Sequence, residues 1–163
     1  MAIKIKPQKN FVIGVISDTH GWLSPSIQNI FKDAHLIIHA GDIDKPDILK
    51  ELQQIAPTIA VRGNMDMGKW AHQLKDKEII EIGPVSVCVI HNIERLEDTL
   101  LSQGLTAVIN GHTHRPLVEE NNGVYVINPG SASWPKFGYS ASVALLRLAG
   151  AALKVRLIEL EKF

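Results

Sequence analysis

The chain has a single cysteine, Cys88, so it cannot close an internal disulfide, and a reducing compartment is tolerated. Cys88 lies inside the apolar run 85–90, where a small buried hydrophobe is the expected role. Net charge is also missing. Lys plus Arg number 17 and Asp plus Glu number 17, which excludes the broad basic field of a general nucleic-acid or membrane binder. No apolar run approaches the ~20 residues that cross a bilayer. Residues 1–10 are basic but have no apolar core of a secretory signal. A cytoplasmic chain with no stable nucleic-acid complex and no membrane contact is expected. No repeat, low-complexity tract or Gly/Ser/Pro-rich linker divides it. At 163 residues, 45% hydrophobic and 21% charged, one globular domain over residues 1–163 is the simplest reading.

What the chain does contain is a series of short β-branched runs. Strands are expected over 11–16, 36–39, 58–61, 78–82, 85–90, 106–109, 117–120, 124–127, 142–148 and 153–160. Gly83-Pro84, Asn121-Asn122-Gly123 and Ala149-Gly150 read as hairpin turns. Helices are expected after Ser24-Pro25, with Ser24 as the cap, after Lys45-Pro46, and over 94–103 with Gly104 as the stop. Strand and helix alternate early, which implies a parallel sheet; the later hairpins imply antiparallel strands. The expectation is a mixed α/β domain with two packed sheets.

Metal-ligating side chains recur just past the ends of these strands. Asp18 and His20 follow the first, Asp42 the second, Asn64 the third, His91 the fifth, and His112 and His114 the sixth. In open α/β sheets ligands gather at the carboxyl ends of strands. All seven offer O or N and none offers S, a mix that suits manganese, iron, zinc or nickel. Asp18-x-His20 and His112-x-His114 place two side chains two residues apart, which in an extended segment project to one side. Gly41, Gly63 and Gly111 each precede a candidate ligand, where close approach is needed. Taken singly, Asp42 reads as a helix cap and Asn64 as a turn residue, but five strand ends carrying ligands together point to a metal centre. Two divalent cations against two aspartates leave a site of net charge about +1 once a bridging hydroxide is counted, attractive to a phosphoester anion.

In order and spacing these residues resemble the calcineurin-like metallophosphoesterase superfamily. The carriers are Asp18-Thr19-His20, Gly41-Asp42, Gly63-Asn64, His91, and Gly111-His112-Thr113-His114, continued by Asn128-Pro129-Gly130-Ser131. The short length and that last turn resemble the compact YfcE-type phosphodiesterase subgroup. The resemblance implies a four-layer α/β sandwich, two mixed β-sheets flanked by α-helices. It implies one metal held by Asp18, His20, Asp42 and His114, and a second by Asp42, Asn64, His91 and His112. A metal-bridging hydroxide would then hydrolyse a small phosphodiester or phosphoester. Manganese comes first among the metals, with iron (Fe2+), zinc or nickel as alternatives. Asn64 and Arg115 are the candidate substrate contacts. Family members are often dimers or tetramers, so a homo-oligomer fits the resemblance.

The chain departs from the family pattern in two places. Larger members follow Gly-Asn with a histidine that can protonate the leaving group; this chain has Met65, which cannot, and then Asp66. The family's H-G-H becomes His91-Asn92-Ile93, which alters the pocket more than the metal set. The alternative to an enzyme is a protein-interaction scaffold on the same fold, like the small retromer subunit. Completeness of the seven ligand positions favours the enzyme. Among the remaining polar residues, His39 is expected to pack in the core or behind the ligands. His35 and His72 are expected at the surface, and Trp70 is expected either over the pocket or in packing.

Overall fold

The structure is a computed structural model and describes residues 1–161. Its elements are β1 (Ile3–Ile5), β2 (Phe11–Ile16), α1 (Ile27–Ile30), β3 (Leu36–His39), α2 (Pro46–Gln53), β4 (Thr58–Ala60), β5 (Lys77–Ile82), β6 (Val85–Ile90), α3 (Asp98–Leu101), β7 (Ala107–Ile109), β8 (Leu117–Asn121), β9 (Val124–Asn128), β10 (Ser142–Ala149) and β11 (Ala152–Glu159). Single 3-10 turns cover Ala71–Gln73 and Ile93–Arg95. One sheet has the order β1-β5-β6-β7-β9-β8 and the other β11-β10-β2-β3-β4. Both are mixed. β2, β3 and β4 run parallel, as do β6, β7 and β9, whereas β5/β6, β8/β9, β2/β10 and β10/β11 are antiparallel.

Strand β2 shows why the layers form. All six of its residues are buried, so both faces must be covered. Phe11, Ile13 and Val15 point between the sheets and meet Val85, Val87 and Val89 of β6 and Leu146 of β10. Val12 and Ile16 point outward onto Ile27 of α1 and Ile48 and Leu52 of α2. A thinner layer covers the other sheet, where Cys88, Ile90, Leu105 and Val108 pack beneath Ile93, Leu96 and Leu100. The expected α/β sandwich of two mixed sheets is therefore what forms. Cys88 is fully buried as expected, and burial pushes its thiol up to about 11, leaving it unreactive near neutrality.

Three expectations are corrected. β1 has no counterpart in the sequence reading; its three residues are partly exposed and pair only with β5 at the sheet edge. The helix expected over 94–103 breaks into the 3-10 turn at 93–95 and α3, with Leu96 and Glu97 extended between them. Seven of the ten residues at 94–103 are Leu, Glu, Arg or Gln, good helix formers, so local propensity does not explain the break. Leu96 and Leu100 both pack on the Cys88 cluster, and ten residues alone are too few to hold a helix against that packing. Asn92 caps the first piece by accepting the Glu94 N–H at 3.1 Å. α1 starts two residues later than Ser24 implied. Ser26 stands at the cap, and the Ser24 hydroxyl accepts its N–H at 3.3 Å.

Candidate metal centre

The loops after β2 and β3 are zipped together by their backbones. Asp18 N–H donates to Gly41 O (3.0 Å), His20 N–H to Asp42 O (3.1 Å) and Gly21 N–H to Ile43 O (2.8 Å). From the other sheet, Gly111 N–H donates to His91 O at 3.0 Å and His112 N–H to the Asp18 carboxylate at 3.1 Å. These bonds bring the ends of β2, β3, β4, β6 and β7 to one edge of the sandwich. Five of the seven candidate ligands then occupy left-handed backbone: Asp18 (φ 53°), His20 (46°), Asp42 (56°), His112 (71°) and His114 (61°). Asp and His tolerate that region better than bulkier residues do. The extended geometry expected for Asp18-x-His20 and His112-x-His114 is therefore wrong. His112 and His114 do not share a side; they serve different groups.

The first group is Asp18, His20 and His114, and the second is Asp42, His91 and His112. His114 Nε2 lies 3.2 Å from Asp18 Oδ1 and 3.3 Å from His20 Nε2. His91 Nε2 lies 3.2 Å from Asp42 Oδ2. Asn64 Oδ1 stands between His91 Nε2 (3.0 Å) and His112 Nδ1 (3.1 Å), which adds it to the second group. The tautomers follow from the outer nitrogens. His114 Nδ1–H donates to Trp134 O at 2.5 Å, His91 Nδ1–H to Ala40 O at 2.7 Å, and His20 Nδ1–H to Asp44 Oδ2 at 3.2 Å. Each of the three Nε2 atoms is thereby left with a lone pair facing other acceptors.

That arrangement fits a cation. Lone pairs and carboxylate oxygens converge with no donor between them, and buried Asp18 Oδ1 has no hydrogen-bond partner among the described residues. The titrations point the same way. Burial works against a charged Asp18 and Asp42, yet their histidine partners hold both carboxyls below the usual range. Burial works against His91 and His114 as imidazolium, yet Asp42 and Asp18 raise both. The negative charge that draws a proton toward His91 and His114 would draw a cation as well, and a cation would compete with that proton. The O and N donor set suits manganese, iron, zinc or nickel.

The model of the calcineurin-like phosphoesterase superfamily domain matches residues 11–151, which contain both donor groups. The chain belongs to the calcineurin-like phosphoesterase superfamily. A probable metallophosphoesterase of Methanothermobacter thermautotrophicus is 35% identical over 159 residues, covering 90% of this chain and 91% of its own length. A solved archaeal phosphodiesterase matches with a TM-score of 0.73 at 27% identity, over 91% of this chain and 100% of that one. Vps29 of Entamoeba histolytica, solved with zinc, matches with a TM-score of 0.75 at 19% identity, over 91% and 99%. This last likeness is one of fold alone.

Several residues that hold this calcineurin-like site together were given no such role by the sequence reading. Asp66 is 1% exposed, and its carboxylate accepts four backbone N–H groups. These come from Asp42 (3.0 Å), Ile43, Asp44 and Gly63 (each 2.8 Å). It clamps the two turns that carry Asp42 and Asn64. Its position two residues after Asn64 was the available signal. Asp44 orients His20, and Ser131 and Ser133 hydroxyls donate to Asp18 O at 2.8 and 3.2 Å. Asn128 ties the His112 turn down through its amide to Gly111 O (2.9 Å) and Thr113 Oγ1 (3.1 Å), so Asn128 to Ser131 forms a turn beside the site as expected. Glycine is needed at 63 and 111 because a Cβ there would overlap Asp42 and Ser17 respectively.

His39 is buried behind the ligands, as expected, with Nδ1 accepting the Gly41 N–H (3.1 Å) and Nε2–H donating to Thr19 Oγ1 (3.0 Å). Trp70 packs on the helix-side core, and His72 is exposed. His35 is corrected from surface to structural: Nδ1 accepts the Val12 N–H at 2.9 Å and the ring stacks on Phe11 at 5.1 Å. Arg115 is exposed with its guanidinium 4.0 Å from the centre of the Phe137 ring. Met65 uses its backbone rather than its side chain, donating N–H to Asp42 Oδ1 at 2.8 Å. No helix among the described residues is long and apolar enough to cross a membrane.

Proposed function

We propose that this chain is a divalent-metal-dependent phosphodiesterase. The observation that carries the reading is the pair of adjacent O/N donor groups whose lone pairs have no donors to meet. Asp18, His20 and His114, with Asp42, would hold one cation; Asn64, His91 and His112, with Asp42 shared, would hold the other. Manganese is the first choice. When bound, the two cations supply a hydroxide nucleophile near neutral pH and neutralise charge on the phosphate.

The residues of the chain do the rest. Asp44, Ala40 and Trp134 carbonyl or carboxylate oxygens hold the imidazoles in the ligating tautomer. Asn64 is exposed and turns Oδ1 inward, so its amide N–H2 is left to donate to a phosphate oxygen. Met65, 48% exposed beside it, cannot protonate a departing alkoxide. Rate should therefore fall steeply as leaving-group pKa rises, with phenolate esters preferred; a flat dependence would contradict this. The second reading is a scaffold on the same fold, favoured only by the fold likeness to Vps29.

The test is hydrolysis of bis(p-nitrophenyl) phosphate by metal-stripped protein after add-back of manganese, nickel, zinc or iron, with Asn64→Ala and His91→Ala in parallel. Turnover that needs metal and is lost in both variants supports the reading. Folded protein inactive with every metal supports the scaffold.

A further inference from the structure

We propose that the phosphodiester taken by this site carries a flat aromatic arm of nucleobase size, stacked on Phe137, with a further phosphate on that arm met by Arg115 and Lys136. This rests on the phosphodiesterase reading. Phe137 is the starting point. It is 65% exposed and sits at φ 58°, a conformation that a bulky side chain rarely adopts. It belongs to none of the hydrophobic clusters among the described residues. Its contact with Arg115 is worth little at an exposed site and is offset by the disfavoured backbone, and such outliers gather at ligand contacts.

The segment carrying Phe137 is tied to the donor groups. Trp134 O accepts from His114 Nδ1–H, Ser133 Oγ donates to Thr19 O at 2.6 Å, and Ser131 Oγ accepts the Trp134 N–H at 2.8 Å. The chain that leads into Phe137 is thus anchored beside the candidate metal centre. Arg115 covers one face of the ring. The large remaining exposure belongs to the other face and the edges, where a planar base can lie. Base stacking on aromatic and guanidinium planes is chemically tolerant of base identity.

The cavities agree. One of about 390 Å³ is lined by Asn92, His112, Thr113, Arg115, Lys136 and Phe137, with Glu94 as its single acid. Another of about 500 Å³ also borders His112, with Asn64, His91, Arg62 and Arg95 in its wall. Asn92 and His112 line both. A diester has two substituents on one phosphorus, and two cavities meeting at a candidate metal ligand offer each a place. The excess of cations in the first cavity suits an arm with its own negative charge.

The test compares the adenosine dinucleotide bearing a 5′-phosphate, its counterpart without that phosphate, and bis(p-nitrophenyl) phosphate, all with manganese-loaded protein. Phe137→Ala should raise KM for both dinucleotides about tenfold, far more than it lowers kcat, and Phe137→Trp should restore it. Arg115→Gln should raise KM for the phosphorylated dinucleotide more than for the other. Calorimetric binding of the phosphorylated dinucleotide is measured beside turnover. Metal-dependent hydrolysis of the aryl diester with dinucleotide KM unmoved in Phe137→Ala would overturn this inference and leave the phosphodiesterase intact. Absent turnover with binding weakened about tenfold in Phe137→Ala would uphold the platform and sink the hydrolase. Neither turnover nor binding overturns the platform as well.

Discussion

Replacing Asp66 with asparagine should destabilise the protein by about 2–4 kcal/mol and weaken metal binding, although Asp66 is no candidate ligand. Four N–H groups end on its carboxylate, two on each oxygen. Hydrogen bonds to a charged group contribute about 1.5–3 kcal/mol each. Asparagine has one carbonyl oxygen, so one pair of donors keeps an acceptor at neutral strength. The other pair faces an amide N–H2, and each buried unpaired donor costs about 1–3 kcal/mol. Losing a buried charge offsets part of this, since burial pushes the Asp66 carboxyl up against the pull of its backbone donors. Urea unfolding should show a lower midpoint at an unchanged slope. Manganese titration by calorimetry should show weaker binding, because the Asp42 and Gly63 turns lose their common anchor. A stability change under about 0.5 kcal/mol with parental manganese affinity would refute the clamp.

Two further outcomes follow from packing around the site. Burial depresses His39 from 6.5 to about 3, so the unfolded chain takes up the proton first. The stability this confers is complete above pH 6.5 and is lost as pH falls from 6.5 toward 3, by at most about 1.4 kcal/mol per pH unit. Denaturant midpoints at pH 7, 6 and 5 should fall faster for the parent than for His39→Gln; parallel slopes would contradict a neutral His39. Gly63→Ala puts a methyl into the Asp42 carboxylate and backbone. It should cost about 1–3 kcal/mol and lower manganese affinity; parental affinity would show that the two turns can part without harm.

The strand ends and the candidate ligands beside them could be read because each candidate is a polar residue closing an apolar run, a pattern that needs no knowledge of distant chain. Asp18, His20, Asp42, Asn64, His91, His112 and His114 were all singled out that way. How they converge could not be read. Left-handed backbone at His112 and His114 sends neighbours in sequence to different groups, and period-two reasoning assumes the opposite. The role of Asp66 had only its place two residues after Asn64 to mark it, because its four donors come from turns whose meeting depends on β3 pairing with β4. β1 was missed because the alternation Ile3-Lys4-Ile5 lasts only three residues, and His35 because stacking on Phe11 is a tertiary event. The 94–103 helix failed because good local propensity yielded to the packing of Leu96 and Leu100 on the Cys88 cluster.

The left-handed ligands also weigh between enzyme and scaffold. A non-glycine residue held there costs of order 1 kcal/mol, and five candidate ligands carry that cost against a total stability of about 5–15 kcal/mol. A chain that no longer bound metal would gain by replacing them. His112 is the position to try, because it is exposed and its backbone N–H, not its side chain, makes the bond to Asp18. At an ordinary helix or strand position alanine is more stabilising than glycine by roughly 0.5–1 kcal/mol. At φ 71° the order should invert, so His112→Gly should be more stable than His112→Ala by about 1 kcal/mol and no less stable than the parent. Both variants should bind manganese at least tenfold more weakly than the parent. If alanine proves the better replacement, the backbone at 112 is not under strain. If both variants keep parental manganese affinity, His112 is no ligand. Stability gained in the glycine variant together with affinity lost would mean that the parent retains an unfavourable backbone for the sake of the site, the trade expected of a working metal centre.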